Sequence, residues 1–405
     1  MASLFWDDRQ TPNANSGMPW NMSRALQNAN CEVIPILIGK TPFPRGSRLF
    51  EDSGSNRMLK GLSYLGSQVR NRRDDLFHRR VFARLMEEAR LTAGRGARGL
   101  AEIECDVIFG SGMSIPFAYL SSQVPIIYAT DATARLLIDS YPKVAALGKG
   151  RRAAILDQET RAIANSDVVV VPSGYCRRSM IADHGAREEQ VSIVPLGANI
   201  EPESSIFLPA PAPKDRRLDL LLCAADPERK QLRLAAAVVR ELRNRGWHAR
   251  LHYIGPKHAC CAFPEVAWAG ELCLGDPDDS RRHRSLLKSC HFSFLPSLSE
   301  MYGIAPIESA AYGRPAIVSD VGGLSTVVED GVTGRVLPLQ TPISGWADAI
   351  EAILAFPQRY EIMSKAAHRR YAEVLNWDVW GQTVRGLAET AIRSRSARED
   401  SGRPG

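Results

Sequence analysis

The sequence lacks most of what would place it outside the ordinary globular classes. No apolar run approaches the ~18–20 residues of a membrane-spanning helix, so no span is expected. The start, Met1 to Asp8, has no basic stretch, and its apolar residues give way at once to Asp7 and Asp8, so no secretory leader is expected. Its 8 cysteines form no C-x-x-C pair. Cys260 and Cys261 are neighbours, and adjacent thiols cannot easily share one tetrahedral ion even with His258 nearby. The expectation is therefore no metal and a reducing, cytoplasmic setting. Aromatic residues interleave with no basic stripe and no nucleic-acid motif occurs, which argues against a nucleic-acid partner. No repeat of solenoid period is found.

What is present fits a chain with two cores: 405 residues, 44% hydrophobic and 24% charged. The net charge of +6 is modest but uneven. Arg70, Arg72, Arg73, Arg79 and Arg80 cluster in the first half, and Arg281, Arg282, His283 and Arg284 in the second. Such clusters read either as solvated helix faces or as attraction to nucleotide, phosphorylated acceptor or anionic lipid. The last of these would bring a cytoplasmic protein to the inner face of a membrane.

Short apolar runs alternate with helical stretches. Strands are expected at Glu32 to Ile38, Asp106 to Phe109, Pro125 to Tyr128, Asp167 to Val171 and Val191 to Pro195, with a helix from Cys176 to His184 between the last two. A proline-rich polar segment at 201–217 reads as a linker. A second series follows, with strands at 218–223, 249–254, 291–295 and 315–318 and helices at 230–245, 281–289 and 304–312. Strand–helix–strand repetition of this kind implies mainly parallel sheets with right-handed crossovers. The expected class is α/β, with Rossmann-like doubly wound domains at 1–200 and 218–375 facing a cleft, and a polar, disordered tail at 394–405.

The densest chemistry lies between the strands at 291–295 and 315–318. Glu300 and Glu308 flank Tyr302-Gly303-Ile304, a glycine turn at a helix mouth. Carboxylates accept hydrogen bonds from hydroxyl groups, and free N–H groups at a helix start favour an anion. A nucleotide sugar offers both. Parallel α/β sheets bind ligands at the carboxyl ends of their strands, where this segment falls.

The segment Glu300-x-Tyr302-Gly303-x-x-x-x-Glu308 resembles the motif of the GT-B glycosyltransferases, specifically the retaining family GT4 (glycosyl transferases group 1). Supporting matches surround it: Leu295-Pro296-Ser297, Gly313-x-Pro315, Ser319-Asp320-Val321-Gly322-Gly323 and Asp330-Gly331-x-Thr333-Gly334. Val191 to Asn199 matches the end of the family's first domain. Asn376-Trp377-Asp378 resembles the signal for a closing helix, here 376–393, that returns to the first domain. Trp377 and Trp380 are expected to fill that packing rather than to stack on sugar.

The resemblance implies roles for named residues. Glu308 would accept the ribose hydroxyls, and Glu300 would hold hydroxyls of the transferred sugar as a catalytic carboxylate. The N–H groups of Tyr302, Gly303 and Ile304 would face the diphosphate. Lys230, with Arg229 second, would neutralise the leaving diphosphate. Ser16 and Gly17, in Asn15-Ser16-Gly17-Met18, resemble the small-residue loop that approaches the donor. Asp131, in Thr130-Asp131-Ala132-Thr133, is a candidate for acceptor binding or transition-state charge, or else a helix cap. Asp276-Pro277-Asp278-Asp279 mimics a D-x-D metal motif but reads as a cap.

The implied activity is transfer of a sugar from a UDP- or GDP-sugar to a glycan, lipid-linked or small-molecule acceptor, with retention and with neither cofactor nor metal. One departure stands out. The family usually has Gly-Arg where this chain has Ala224-Ala225, and Gly where it has Gln231. With Thr326 in place of a common glutamate, this leaves an alternative: a catalytically degenerate binder of nucleotide sugar or partner protein.

Overall fold

The structure is a computed structural model that describes residues 2–5, 18–37, 94, 104–112, 114–200 and 212–401. Two six-stranded sheets form its frame. The first is ordered β2-β1-β3-β4-β5-β6 and the second β12-β11-β10-β7-β8-β9, and every pairing is parallel. In the first sheet, β1 is Ala2–Phe5, β2 Ile34–Leu37, β3 Ile108–Ser111, β4 Ile126–Ala129, β5 Val168–Val171 and β6 Val191–Ile193. In the second, β7 is Arg217–Cys223, β8 His248–Ile254, β9 Val266–Gly270, β10 Phe292–Leu295, β11 Ala316–Ser319 and β12 Gly334–Leu337.

The strands form where short β-branched and aromatic runs can be buried on both faces, as parallel sheets require. β4, β10 and β11 are buried throughout. Helices cover them with periodic apolar stripes. In Leu232–Asn244, Leu232, Ala235, Ala236, Val239 and Leu242 face inward at helical spacing. Edge-to-face aromatic pairs fill the second core: Phe294 on Trp346 at 5.4 Å and Phe292 on Tyr360 at 5.3 Å.

The helix Trp377–Ser401 leaves the second domain and lies on the first. Trp380, fully buried, meets Phe109 of β3 edge-on at 5.9 Å. Gly381 allows the close approach to the helix Met18–Asn28, since a Cβ there would stand 2.2 Å from Ala25 O. Arg385 Nη1 donates to Ala29 O at 2.8 Å.

The expected disordered tail from 394 is not what this helix shows. It runs to Ser401, because Arg395 fixes it to the first domain by donating to Val124 O at 2.7 Å and Ser122 O at 2.9 Å. Three further differences have physical causes. β1, which the sequence offers only as a stretch tested for a leader, is a central strand paired with both β2 and β3. The helix expected from 230 starts at Leu232, after Gln231 turns into the left-handed region. The helix expected at 281–289 starts at Pro277, where Asp276 accepts from the N–H groups of Asp278 and Asp279, the capping role expected for that acidic run. No helix among the described residues is long and apolar enough to cross a membrane.

Candidate active site

The order of the second sheet reverses at β7. β8 and β9 lie to one side and β10, β11 and β12 to the other, so the loops leaving β7 and β10 diverge and open a crevice. Both loops carry predicted site residues. The β7 loop turns at Asp226, whose Oδ1 accepts from Arg229 N, and ends at Gln231. The β10 loop is tied to it by Leu298 N–H, which donates to Arg229 O at 2.8 Å.

The two loops converge on Glu300. Its Oε2 lies 2.7 Å from Lys230 Nζ, 3.4 Å from Arg229 Nη1 and 3.3 Å from Ser297 Oγ. Glu300 is buried, and burial alone would push its carboxyl up. Lys230 and Arg229 override that and hold it below the usual carboxylate range. Arg229 Nη1 also donates to Ser299 O at 2.5 Å, and its guanidinium lies over the Tyr141 ring of the first domain at 5.3 Å. The site thus has two cations despite Ala224-Ala225, and Arg229 supplies the second.

Gly303 opens the helix Ile304–Ala311 with φ +106°, a conformation open to glycine and strained for other residues. The first-turn N–H groups of that helix are the ones an anion would use. The Tyr302 side chain is buried, with its hydroxyl 3.4 Å from Leu196 O of the first domain. Glu308 lies on the inner face of the helix, 5% exposed. It accepts from the backbone N–H of Asn199, and its Oε2 is 3.8 Å from His283 Nε2. Burial pushes its carboxyl up to about 8, opposed by that N–H and by Lys230.

Asp131 follows β4 on the first-domain side and is half-buried. Burial and then the nearby charge of Glu300 raise its carboxyl, which brings the two carboxylates together electrostatically across the crevice. It is not the cap of the next helix; Thr133 fills that position by accepting from Leu136 N at 3.1 Å. Met301 packs against Ala132 and Leu136 beside it. Between the domains lies a cavity of about 690 Å³, lined by Pro142 and Tyr175 of the first and Asp226, Leu298, Glu300 and Gly322 of the second. A larger hollow of about 1110 Å³ lies at the opposite, amino-terminal ends of β7 and β8 and contains none of these residues.

The structure therefore brings Glu300, Lys230, Arg229, Asp131, Tyr302, Gly303, Ile304 and Glu308 to one crevice. Ser16 and Gly17 lie outside the described residues, as does the arginine cluster at 70–80. Among the described residues no three His, Cys, Asp or Glu side chains group as metal ligands. His258 caps a short turn at Cys260 N and pairs with Glu228 at 2.9 Å. Arg281 and Arg282 pair with Asp278 and Asp279 along their own helix, which favours the solvated-face reading of that cluster. Sequence reasoning missed Ser297, Tyr141, Asn199 and His283. Asn199 acts through its backbone and leaves no trace, whereas His283 could have been found from its spacing to Leu287, four residues on.

Two facing parallel-sheet domains with the crevice between them make this a GT-B fold. Solved structures share it: sucrose-phosphate synthase from Thermosynechococcus elongatus, with a TM-score of 0.65 at 17% identity over 97% of this chain and 99% of that one, is an example. Anabaena HepE, solved with UDP and glucose, gives 0.59 at 13% identity, covering 96% of this chain and 100% of the other. Residues 218–355 match the family described as glycosyl transferases group 1, and the second domain belongs to it. The D-inositol 3-phosphate glycosyltransferase of Nocardia farcinica is 29% identical over 257 residues, which are 57% of this chain and 54% of that protein. That of Kribbella flavida is 38% identical over 103 residues, 25% of this chain and 24% of its own. The chain spans about half the length of the Nocardia relative it matches.

Proposed function

We propose that the protein is a glycosyltransferase that moves a sugar from a UDP- or GDP-sugar, held by the second domain, to a hydroxyl of an acceptor held by the first. The observation that carries this is the convergence of Lys230 and Arg229 on buried Glu300, beside Glu308, where the sheet order reverses. Glu308 accepts the ribose hydroxyls through charge-assisted bonds, worth on the order of 1.5–3 kcal/mol each. An incoming diphosphate competes with Glu300 for Lys230 and Arg229, and their fixed positive charge then stabilises the leaving nucleoside diphosphate. Glu300, freed in part, turns to hydroxyls of the sugar. Asp131 lies on the acceptor side.

Retention and independence of metal rest on the resemblance to family GT4. A glycan, lipid-linked or small polyol acceptor suits a cavity lined by Glu300, Asp226, Arg229 and the exposed apolar Leu298. The named relatives act on an inositol phosphate, which supports a polyhydroxyl acceptor. Incubation with a panel of UDP- and GDP-sugars tests the reading, since slow donor hydrolysis should release nucleotide even without the acceptor. Intact nucleotide binding with no release from any donor would leave a binder and sink the transferase.

A further inference from the structure

His283 belongs in sequence to a run of arginines, but the fold buries it. On the helix Pro277–Ser289, His283 and Leu287 face inward while Arg281 and Arg282 stay at the surface and Arg284 is half-buried. Its Nε2 lies 3.8 Å from Glu308 Oε2 and 3.7 Å from Cys223 Sγ, and His283 and Glu308 are each 5% exposed. Few other charged or titratable groups reach this cluster. Lys230 acts on Glu308 through space but is committed to Glu300 at 2.7 Å. Arg284 adjoins His283 on the same helix, and Asn199 brings a backbone N–H from the first domain. Cys223, with Cys290 near it, is kept a thiol, because burial pushes both upward.

Resting on the reading of Glu308 as the ribose carboxylate, we propose that His283 is its positioning residue and proton partner. When two hydroxyl groups are presented to Glu308, its Oε2–H bond breaks and the proton forms an N–H bond at His283 Nε2. The pair passes from neutral carboxyl and neutral imidazole to carboxylate and imidazolium, with no net change in charge.

Three considerations support the step. Burial raises Glu308 to about 8 and lowers His283 to about 4, so near pH 7 the empty pair is neutral. Transfer follows only when the diol favours the carboxylate and that new charge, 3.8 Å away, raises the imidazole in turn. A neutral carboxyl holds two hydroxyl donors poorly, whereas a carboxylate accepts both. A lone carboxylate at this depth is costly, and a cation 3.8 Å away offsets that cost. Cys223, still protonated, leaves the imidazole as the acceptor within reach.

The test is a proton count by titration calorimetry on the full chain at pH 7, in two buffers of different ionisation heat. The probes are UDP and its 2′,3′-dideoxy analogue, so that protons moving on the phosphates cancel in the difference. For wild type the difference should be near zero protons, with a UDP Kd nearly flat from pH 6 to 8. For His283→Leu it should be close to one proton released, and Kd should weaken about tenfold per unit of pH below the Glu308 value. His283→Asn should behave as the leucine variant does. A wild type that releases a proton because of the diol, or a leucine variant with a flat profile, overturns the proposal, and the wild-type count decides even if a variant does not fold. If UDP binds no more tightly than its dideoxy analogue, the ribose reading itself fails, a result distinct from either of these.

Discussion

Gly322 lies so close to Glu300 that a Cβ on it would stand 1.5 Å from the Glu300 carbonyl oxygen. Its φ of +58° adds strain for any side chain. The glycine pair after β11 therefore supports the backbone of the loop that carries Glu300. Gly322→Ala should cost more than ~1 kcal/mol of stability and reduce donor turnover together, because the clash is with backbone. A denaturant midpoint unchanged from wild type would show that the loop has room that these contacts deny.

The two glutamates should separate in a mutational test. Glu308→Ala should weaken nucleotide binding by roughly 10- to 100-fold, the equivalent of about one charge-assisted hydrogen bond. Glu300→Ala should lower turnover far more than nucleotide affinity, since it frees Lys230 and Arg229 for the diphosphate. Equal UDP affinity in Glu308→Ala and wild type removes the ribose role.

Gln231 occupies φ +54°, ψ +49° without glycine's freedom, immediately after Lys230. Non-glycine residues there cost about 1–2 kcal/mol, part of which a glycine returns as unfolded-state entropy. Gln231→Gly should stabilise the protein by about 0.5–1 kcal/mol, read as a higher urea midpoint at constant slope. A loss of stability would mean that the glutamine side chain makes a contact worth more than the strain.

Glu159 offers a pH test away from the crevice. It accepts from Tyr128 Oη at 3.0 Å and from Ala134 N, and its carboxyl is raised to about 7 by burial. A carboxyl raised on folding contributes stability that is full below the unfolded value, about 4.3, and is lost as pH rises through the folded one. Buried His184 and His283 and half-buried His291 are lowered and change stability in the opposite direction, so the difference between variant and wild type is the quantity to follow. That difference reports Glu159 together with His184, whose Nε2 lies 3.4 Å from Glu159 Oε2. Glu159→Gln lacks the term, so its Tm relative to wild type should climb between pH 4.5 and 7. A difference flat in pH would show that Glu159 is already ionised across that range.

Trp380 anchors the closing helix. Trp380→Ala should cost about 3–5 kcal/mol, the usual range for a fully buried tryptophan. Thermal unfolding should then split into two steps if that helix is what couples the domains, and a single unchanged transition would deny it that role.

Much of this was legible in the sequence because parallel strands and glycine turns have strong local signatures. The valine run of β5, the glycine turn at Gly303 and the spacing of Glu300 and Glu308 each announce themselves. What stayed hidden depends on packing between distant segments. β1 is too short to show a period, and its identity as a central strand comes only from its neighbours. Chain order alone ranks Arg229 behind Lys230, because it does not show that the guanidinium reaches Ser299 O and Tyr141. The helical end past 394 is polar throughout, and only the docking of Arg395 onto two backbone carbonyls makes it part of the fold.

The chain passes from the first domain toward the second just after Asn199 and comes back at Asn376, and these two crossings touch. A Cβ on Gly197 would lie 2.5 Å from Trp377 N. The two crossings are held backbone against backbone at this point. Bulk added at Gly197 would have to push them apart, and with them the domains that carry Asp131 and Glu300, without a contact to either residue.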